Sequence, residues 1–266
     1  MPYFKNKVAW ITGASSGIGE ALAYELSRRG ARLVLSARRK EELEKVKGNC
    51  GLSVQDNIKI LPLDLSAANT LQLSAAAAIQ AFGRIDLLIN NGGVSQRSLA
   101  METSLEVDRK VMEVNYFGTI AITKFLLPQF LKQKGGHIAV VTSLTGKFGT
   151  PYRSGYAAAK HALHGFFDSL RAELWKENIK VTLIAPGFVQ TKISVSALTG
   201  DGSRLNEMDE AQRNGMPVAK AAKQIANGIA RQKNEVYIGG REVLGAYVKR
   251  FFPGLFNKII RKAKVR

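Results

Sequence analysis

The sequence contains few of the residues that form disulfides or metal sites. Cys50 is the single cysteine among 266 residues, which excludes an internal disulfide. The three histidines, His137, His161 and His164, have no partners at the spacing of metal ligands. We therefore expect no metal site and assign the histidines no role.

Long apolar runs are also absent. No stretch approaches the roughly 18 consecutive apolar residues that mark a membrane-spanning helix. The first residues lead directly into an apolar strand pattern, without the architecture of a signal peptide. A cytoplasmic location is the expectation. With 45% hydrophobic residues, the chain can bury a substantial core.

Acidic residues are scarce relative to basic ones. The chain has 21 Asp and Glu against 39 Lys and Arg, and its formal net charge is +18. Such an excess suits nucleic acid, an anionic membrane surface or phosphorylated ligands. Residues 241–266 carry eight of the basic residues and one acid, Glu242. Because no aromatic platform or nucleic-acid-binding module accompanies this charge, we expect no nucleic acid partner.

Apolar strand patterns alternate with helical patterns along the chain. The predicted strands are residues 7–12, 32–37, 58–63, 85–89, 137–142, 180–185 and 235–238. The predicted helices are residues 20–29, 40–47, 66–82, 105–132, 156–173 and 218–232. This alternation predicts one α/β domain over residues 1–240, built as a doubly wound parallel sheet with helices on both faces.

A glycine-rich turn joins the first strand to the first helix. It contains Gly13, Ser15, Ser16, Gly17, Ile18 and Gly19. Free backbone N–H groups and the helix dipole make such a turn an anion site, so we predict that it binds the pyrophosphate of a dinucleotide. Its spacing is G-x-x-x-G-x-G rather than G-x-G-x-x-G, and the alternative is a tight turn without a ligand.

The end of the second strand bears on the choice of dinucleotide. An acidic residue there would match a free ribose 2′-hydroxyl, but the chain has Arg38 and Arg39. Arginines can pair with a 2′-phosphate through charge-assisted hydrogen bonds. The sequence therefore favours NADP(H) over NAD(H), and the alternative is that both arginines begin a solvated helix.

Two further polar residues interrupt the apolar pattern. Asp64 ends the third strand, on the edge where open α/β sheets bind ligands, although it could equally cap the next helix. Asn115 lies inside the helix predicted at residues 105–132, and Gly118 follows. Both residue types are unfavourable within a helix, so this break is either a hydrogen-bonded packing solution or a functional feature.

Ser143, Tyr156 and Lys160 lie in one stretch between a predicted strand and a predicted helix. Ser143 follows the strand, and Tyr156 and Lys160 are four residues apart on one helical face. Tyrosine, with an ordinary pKa of about 10, is a poor proton donor near neutral pH, but a neighbouring ammonium lowers that pKa. A serine hydroxyl can hold a substrate oxygen against the phenol. The alternative is a buried tyrosine beside a lysine whose stem packs on apolar surface.

Together, these motifs resemble the short-chain dehydrogenase/reductase family over about residues 5–240. The motifs are Thr12-Gly-x-x-x-Gly17-x-Gly19, Asp64, Asn90-Asn-Gly-Gly93, Asn115, Ser143, Tyr156-x-x-x-Lys160 and Pro186-Gly187. One departure is Gly92, where the family usually has alanine. The resemblance implies a Rossmann fold and an oxidoreductase that interconverts a carbonyl and a secondary alcohol, and Arg38 and Arg39 favour NADP(H) as its cofactor.

The resemblance also implies roles for individual residues. Tyr156 would be the general acid in reduction and the general base in oxidation, and Ser143 would orient the substrate oxygen. Lys160 would lower the pKa of Tyr156 and bind the nicotinamide ribose, and Asn115 would hold a water of the proton relay. The implied cofactor-binding residues are Gly13, Ser15, Ser16, Gly17, Ile18, Gly19, Arg38, Arg39, Asp64, Leu65, Asn91, Gly92, Gly93, Tyr156, Lys160, Pro186, Gly187, Val189 and Thr191.

Two segments outside these motifs concern the substrate and partners. Residues 192–217, named the flap below, mix apolar residues with glycines and suit a mobile cover over a site. Residues 241–266 are predicted to form a basic amphipathic C-terminal extension, which Pro253-Gly254 divides in two. Its apolar residues on one helical face are Leu255, Phe256, Ile259 and Ile260.

The extension has two interpretations. A basic amphipathic helix can lie on an anionic membrane, which would make the protein peripherally membrane-associated; alternatively, it covers the substrate site or a neighbouring subunit. It also resembles the extension of the family's hydroxysteroid dehydrogenases and membrane-associated lipid reductases. That resemblance implies an apolar or lipid-like small-molecule substrate, such as a steroid or an acyl compound.

The resemblance implies self-association, and one other function competes with catalysis. In this family the helices that match residues 105–132 and 156–173 make homodimer and homotetramer contacts, and here they carry Phe125, Phe130 and Phe166. Core packing explains these residues equally well. The competing function is an NADP-binding sensor or scaffold without turnover, against which the intact set of candidate catalytic residues argues.

Overall fold

Short apolar segments form the central sheet. The computed structural model describes residues 3–263, and the strands in this range are β1 (Val8–Thr12), β2 (Arg32–Ser36), β3 (Ile58–Ile60), β4 (Leu87–Asn90), β5 (Gly136–Val141), β6 (Ile179–Pro186) and β7 (Glu235–Ile238). All pairs are parallel, in the order β3-β2-β1-β4-β5-β6-β7. The predicted doubly wound parallel sheet is confirmed, and the predicted strand ends differ from the observed ones by at most about three residues.

Helices cover both faces of the sheet. The α-helices in the described range are α1 (Gly17–Arg28), α2 (Lys40–Asn49), α3 (Leu71–Gln80), α4 (Leu105–Met112), α5 (Gly118–Lys132), α6 (Ser154–Glu173), α7 (Glu210–Arg213), α8 (Val218–Ala230), α9 (Leu244–Phe251) and α10 (Pro253–Ile260). Successive strand residues point to opposite faces. In β1, Ala9 and Ile11 pack with residues of α1 and α8, whereas Val8 and Trp10 pack with residues of α5 and α6.

The helix predicted at residues 105–132 is interrupted by a π turn. α4 ends at Met112, Glu113–Phe117 form the π turn, and α5 begins at Gly118. A Cβ atom at Gly118 would collide with the backbone of Leu65, so only glycine lets α5 approach the end of the sheet this closely. The unfavourable Asn115 and Gly118 of the sequence therefore mark a real change of helix geometry.

The flap is packed against the body of the protein. Its buried residues are Ser194, Ala197, Leu198, Asp209 and Gln212. The backbone N of Arg97 donates to the carbonyl oxygen of Leu198 over 2.8 Å, and that of Ser104 donates to Gly200 over 2.9 Å. The sequence suggested a mobile cover, but these contacts attach the flap to the loop that follows β4.

The C-terminal extension packs on the loop that follows β5. The rings of Phe148 and Phe256 lie 5.0 Å apart, and Phe256 is buried. The break that was predicted at Pro253-Gly254 is observed at Phe252, between α9 and α10. Of the predicted apolar face, Phe256 is turned inward, whereas Leu255 and Ile259 remain about half exposed. The basic residues Lys264 and Arg266 lie outside the described residues.

Two aspects of the surface bear on partners. Phe125 on α5 is 37% exposed, but Phe130 is fully buried, and its ring fills the space beside Gly136. Phe130 therefore belongs to the core and offers nothing to a second subunit. Among the helices of residues 3–263, none combines the length with the apolar character that a bilayer span requires.

Candidate active site

The turn between β1 and α1 has a backbone conformation that favours glycine. Gly13 and Gly17 have φ angles of 66° and 60°, in the left-handed region that residues with a Cβ atom rarely adopt. At Gly19 a Cβ atom would overlap the carbonyl oxygen of Gly13 and the side chain of Asn91. The N-terminus of α1 therefore lies under a turn with few side chains, where backbone N–H groups can contact a pyrophosphate.

Thr12 and Asn91 join the carboxyl ends of β1 and β4. Thr12 Oγ1 accepts hydrogen bonds from the backbone N of Asn91 (3.1 Å) and of Gly92 (3.0 Å). Asn91 Nδ2 donates to the carbonyl oxygens of Thr12 (3.1 Å) and Gly13 (3.0 Å). A Cβ atom at Gly92 would lie 2.6 Å from Leu65 Cδ1, so the alanine usual in the family would require Leu65 to move.

The segment after β6 lies along the same cleft. Thr191 Cγ2 is 3.1 Å from the position of a Cβ atom at Gly17, and Thr191 Oγ1 accepts a hydrogen bond from Gln212 Nε2 over 3.1 Å. Val189 is buried, and the backbone N of Gly187 donates to the carbonyl oxygen of Ile238 over 2.7 Å. The structure thus brings the predicted residues that follow β6 beside the glycine-rich turn.

Arg38 and Arg39 are exposed beyond the end of β2. Asp64 Oδ1 accepts hydrogen bonds from the backbone N (2.9 Å) and the Oγ (2.7 Å) of Ser66, so Asp64 caps the turn that leads towards α3. Burial raises the pKa of Asp64, but these hydrogen bonds and the charge of Arg38 outweigh that effect and hold the pKa below its ordinary value. Two predicted cofactor residues, Arg38 and Asp64, therefore interact at this edge of the sheet.

Ser143 and Tyr156 meet beyond the end of β5. Ser143 helps to lower the pKa of the Tyr156 phenol through hydrogen bonding. Ser143 Oγ also donates a hydrogen bond to the carbonyl oxygen of Pro186 over 3.4 Å and accepts one from the backbone N of Thr145 over 3.1 Å. The ring of Tyr156 packs with Val107, Val111 and Leu198 and is 8% exposed. A substrate oxygen bound between the two hydroxyl groups would meet a hydrogen-bond partner and a proton donor at once.

The environment of Tyr156 changes its acidity in both directions. Burial raises the pKa of Tyr156 above the ordinary value of about 10. The charge of Arg97, the hydrogen bond with Ser143 and the charge of Arg153 oppose that increase. The sequence attributed the lowering to Lys160, whose Nζ lies 5.6 Å from the centroid of the Tyr156 ring. The structure adds Arg97 and Arg153 as further positive groups that favour the ionised phenol.

Lys160 is buried one helical turn after Tyr156. Its Nζ donates a hydrogen bond to the carbonyl oxygen of Val141 over 2.9 Å and lies 5.6 Å from the centroid of the Tyr156 ring. Burial lowers the pKa of Lys160 to about 8. A Cβ atom at Gly93 would lie 3.7 Å from Nζ. Lys160 therefore connects the end of β5 with the loop that follows β4.

Asn115 is fully buried in the π turn. Its Oδ1 accepts a hydrogen bond from the backbone N of Val94, and its Nδ2 donates to the carbonyl oxygen of Val94, both over 2.8 Å. The position of a Cβ atom at Gly93 is 2.7 Å from Asn115 Oδ1, so glycine is needed there as well. The side chain of Asn115 therefore holds the loop after β4 in place beside Lys160.

The structure adds three buried charged residues that the sequence did not single out. Arg97, Arg153 and Asp209 form ion pairs beside Tyr156. They come from three separate loops, so no local spacing links them. One sequence signal could have pointed to the two arginines, because Arg97 closely follows the motif that ends at Gly93 and Arg153 closely precedes Tyr156.

The comparisons with known proteins agree with this geometry. The family model described as short chain dehydrogenase matches residues 7–201. The chain is 42% identical over 266 residues to the Anopheles gambiae protein named Dehydrogenase/reductase SDR family protein 7-like, covering 98% of this chain and 84% of that protein. It is 44% identical over 253 residues to the Homo sapiens Dehydrogenase/reductase SDR family member 7, covering 93% and 75%.

Solved structures of similar fold hold nicotinamide nucleotides. A short chain dehydrogenase from Burkholderia cenocepacia in complex with NADP has a TM-score of 0.79 at 25% identity, over 99% of this chain and 100% of that chain. A short chain dehydrogenase/reductase from Burkholderia phymatum in complex with NAD has a TM-score of 0.84 at 24% identity, over 100% and 99%. The glycine-rich turn of this chain fits such a nucleotide, because a Cβ atom at Gly13 or Gly19 would fill the cradle. The chain therefore belongs to the short-chain dehydrogenase/reductase family, whose members are Rossmann-fold oxidoreductases that act on CH–OH groups with a nicotinamide cofactor.

Proposed function

We propose that the protein interconverts a carbonyl and a secondary alcohol with NADP(H), and that Tyr156 transfers the proton. The observation that carries this proposal is the meeting of Ser143, Tyr156 and Lys160 at the carboxyl ends of the strands, next to the glycine-rich turn. Ligands bind at that edge of open α/β sheets. A hydroxyl pair beside a buried lysine matches the needs of a proton-coupled hydride transfer.

Each of these residues has one task in the proposed reaction. A nicotinamide group, when bound, supplies or accepts the hydride. Tyr156 gives its phenolic proton to the carbonyl oxygen in reduction and takes the hydroxyl proton in oxidation, and Ser143 holds that oxygen by a hydrogen bond. Lys160 holds the end of β5 and contributes a donor towards the bound ribose. Asn115 fixes the loop after β4. We also propose that the π turn that contains Asn115 holds the water of the proton relay.

The side chains around Tyr156 and Ser143 favour an apolar or lipid-like substrate. Val94, Met112 and Leu198 pack near the phenol. On the other side of Ser143, Leu144 and Phe148 form a second apolar group with Phe256 of the C-terminal extension. Steroid and acyl ketones present this combination of one polar oxygen and a large apolar surface.

Turnover of a panel of ketones with NADPH tests the proposal. The panel runs from cyclohexanone to steroid ketones and long-chain acyl ketones, and loss of NADPH absorbance reports reduction. We expect turnover that favours the larger apolar ketones. Tight NADPH binding with no turnover on any carbonyl would instead support the alternative function, a nucleotide sensor or scaffold.

Arg38 and Arg39 are proposed to select NADP(H) by pairing with the 2′-phosphate. Charge-assisted hydrogen bonds contribute about 1.5–3 kcal/mol, so the double variant Arg38→Gln, Arg39→Gln should bind NADPH about 10-fold to 100-fold more weakly. Its NADH affinity should change little. Fluorescence titration measures both constants, and Arg231→Gln, an exposed arginine at the end of α8, is the control. An equal loss for both nucleotides would contradict selection by these arginines.

The C-terminal extension is proposed to contact an anionic membrane surface. Phe251, Phe252, Leu255 and Ile259 are each at least 50% exposed, and the basic residues Lys249, Arg250 and Lys258 lie next to them in the sequence. Inserting apolar side chains and neutralising lysine or arginine against anionic lipid both favour binding.

Vesicle sedimentation tests this contact. The protein should bind phosphatidylserine-containing vesicles more strongly than pure phosphatidylcholine vesicles, and less strongly at high salt. The double variant Phe251→Ser, Phe252→Ser should bind about 30-fold more weakly, because two large apolar side chains are lost. Trp175→Ser, which removes a 70% exposed apolar residue just after α6, is the control. Equal binding to both kinds of vesicle would rule the contact out.

Members of this family are commonly oligomeric, and we propose that this chain forms a homodimer or homotetramer through the surface around α4 and α5. Phe117 (49% exposed) and Phe125 (37% exposed) lie there beside Ile120. Light scattering of the purified protein measures the mass directly.

A further inference from the structure

Three buried charged residues join separate loops next to Tyr156. Arg97 lies in the loop after β4, Arg153 directly precedes α6, and Asp209 lies in the flap at the start of α7. Arg97 Nε donates to Asp209 Oδ2 over 2.7 Å, and Arg153 Nη2 donates to the same oxygen over 3.1 Å. The side chains of Arg97, Arg153 and Asp209 are 3%, 5% and 1% exposed. Buried ions of this kind are costly unless they are paired, so their arrangement is specific.

Further hydrogen bonds fix the same group. Arg97 Nη1 donates to Ser95 Oγ (2.5 Å) and to the carbonyl oxygen of Gln96 (2.9 Å). Ser194 Oγ accepts from the backbone N of Asp209 over 3.2 Å, within the flap. Breaking the ion pairs would therefore remove the side-chain links from the flap to the loop after β4 and to the start of α6, and would leave the backbone hydrogen bonds of Leu198 and Gly200.

The ion pairs lie close to the candidate proton donor. Leu198 of the flap packs against Tyr156, and its carbonyl oxygen accepts the backbone hydrogen bond of Arg97. Arg153 precedes Tyr156 by three residues, and the charges of both arginines favour the ionised phenol. Burial and the charge of Arg97 lower the pKa of Arg153 to about 10, so Arg153 stays charged at neutral pH.

Other charged groups also lie near this phenol. Lys160 follows on the same helix. Asp108 of α4 lies against Gly155, because a Cβ atom there would collide with its carboxylate. The flap also carries the exposed Glu207. None of these groups is altered in the variants described below, so their effect on Tyr156 is the same in every comparison.

We propose that Arg97, Arg153 and Asp209 form a positioning cluster that holds the flap over Tyr156 and puts arginine charge beside its phenol. This inference rests on the proposed proton transfer by Tyr156. Each arginine has two tasks, since the hydrogen bonds that close the flap are made by the same guanidinium groups that act on the phenol. Asp209 anchors both arginines and partly neutralises them.

The two tasks can be separated by the sign of an electrostatic effect. Arg97→Met removes a positive charge and should raise the pH at which Tyr156 ionises. Asp209→Asn removes a negative charge and should lower it. Asparagine keeps an acceptor oxygen for both arginines, and its amide group can occupy the site of Asp209 Oδ1, which has no hydrogen-bond partner within residues 3–263. If the cluster had a structural role alone, the pH at which Tyr156 ionises would shift in the same direction in both variants or would not shift in either.

Ionisation of Tyr156 can be measured without a substrate. Phenolate absorbance of the full-length protein with bound NADP⁺ is recorded after rapid pH jumps, and the signal of the same protein carrying Tyr156→Phe is subtracted. We expect the ionisation midpoint to rise by about one pH unit in Arg97→Met and to fall by about one in Asp209→Asn. Arg97→Lys keeps the charge and should stay close to wild type.

Hydrogen–deuterium exchange reports the second task. Amides of residues 192–217 should exchange about tenfold faster in both variants. Arg97→Met removes hydrogen bonds to the flap, and Asp209→Asn replaces their carboxylate acceptor with a weaker, neutral amide oxygen. Asp201→Asn is the matched control, since Asp201 is an exposed flap carboxylate bonded to Thr199 and Ser203. NADPH fluorescence verifies that each variant folds with its nucleotide site intact.

The outcomes separate this proposal from the function on which it rests. Midpoints that move together, or flap exchange equal to wild type in both variants, would overturn the positioning cluster. If Arg97→Met fails to bind NADPH, the comparison of Asp209→Asn with Asp201→Asn still tests the proposal. Of these two variants, only Asp209→Asn is expected to lower the ionisation midpoint of Tyr156. Full turnover by Tyr156→Phe would overturn the proton-transfer role and leave these two measurements unaffected.

Discussion

Replacement of Tyr156 with phenylalanine is expected to lower kcat/KM about 1,000-fold. The substitution removes one oxygen atom and leaves the ring, which packs with Val107 and Leu198, in place. A positioned proton donor contributes roughly 100-fold to 10,000-fold to a rate. The variant should keep its affinity for NADPH, because the glycine-rich turn is unchanged. Steady-state kinetics with the best ketone of the panel, together with NADPH fluorescence, measure both quantities.

A matched tyrosine provides the control for this experiment. Tyr116 lies in the π turn, where its ring contacts Phe117 and Phe166, and Tyr116→Phe removes a phenol of the same kind outside the candidate site. It should retain activity within about twofold, as expected for a substitution without a catalytic task. A normal rate in Tyr156→Phe would mean that another group transfers the proton, and Ser143 would then be the first residue to replace.

The fold was predictable because its signals are local. Strands of a parallel sheet are buried on both faces and read as short apolar runs, and here glycine or asparagine often follows such a run, as after Thr12 and Asn90. The parallel arrangement followed from the alternation of strands and helices, because a parallel strand needs a crossover. The predicted strand at residues 58–63 extends beyond β3, whose register with β2 ends at Ile60. The backbone N of Leu61 and of Leu63 still donates to the carbonyl oxygens of Leu35 and Ala37, both over 3.0 Å.

The candidate catalytic residues were predictable for a similar reason. Ser143 follows β5 directly, and Tyr156 and Lys160 are four residues apart in α6, so a strand end and one helical turn suffice to bring them together. The relative sizes of the effects that set the pKa of Tyr156 were not predictable. They depend on burial and on the positions of Arg97 and Arg153, which no spacing within one element describes.

Long-range pairs left no pattern in the sequence. Arg97 and Asp209 are separated by 112 positions, and Arg153 and Asp209 by 56. The glycines of the flap indicated mobility, since a local pattern cannot report the partners that a loop meets elsewhere. The same reason applies to Phe256, because helical periodicity groups it with Leu255 and Ile259 but only the contact with Phe148 turns it inward.

Lys160 is expected to reduce the stability of the folded protein near neutral pH. Burial lowers its pKa to about 8, whereas lysine in an unfolded chain has a pKa of about 10.4. Between these values the unfolded chain binds more protons than the folded one, so stability rises with pH over that window. Below about pH 8 the full cost applies, and a shift of this size corresponds to about 3 kcal/mol.

Lys160→Met should therefore be more stable than wild type near pH 7 and less stable above about pH 10. The substitution removes the buried charge, but it also removes the hydrogen bond to the carbonyl oxygen of Val141, which costs about 1–2 kcal/mol. The expected net gain at neutral pH is about 1–2 kcal/mol, with a loss of similar size at high pH, where the wild-type amine is neutral. The same variant should lose at least about 100-fold in kcat/KM, since a donor to the bound ribose is gone.

Urea unfolding at a series of pH values measures the difference between the two proteins. Lys220→Met, which replaces an exposed lysine on α8, should follow the wild-type curve throughout. Parallel curves for wild type and Lys160→Met would contradict a lowered pKa for Lys160. A crossing near pH 8 to 10, together with the loss of activity, would indicate that the site keeps a destabilising buried amine for the sake of catalysis, as functional sites commonly do.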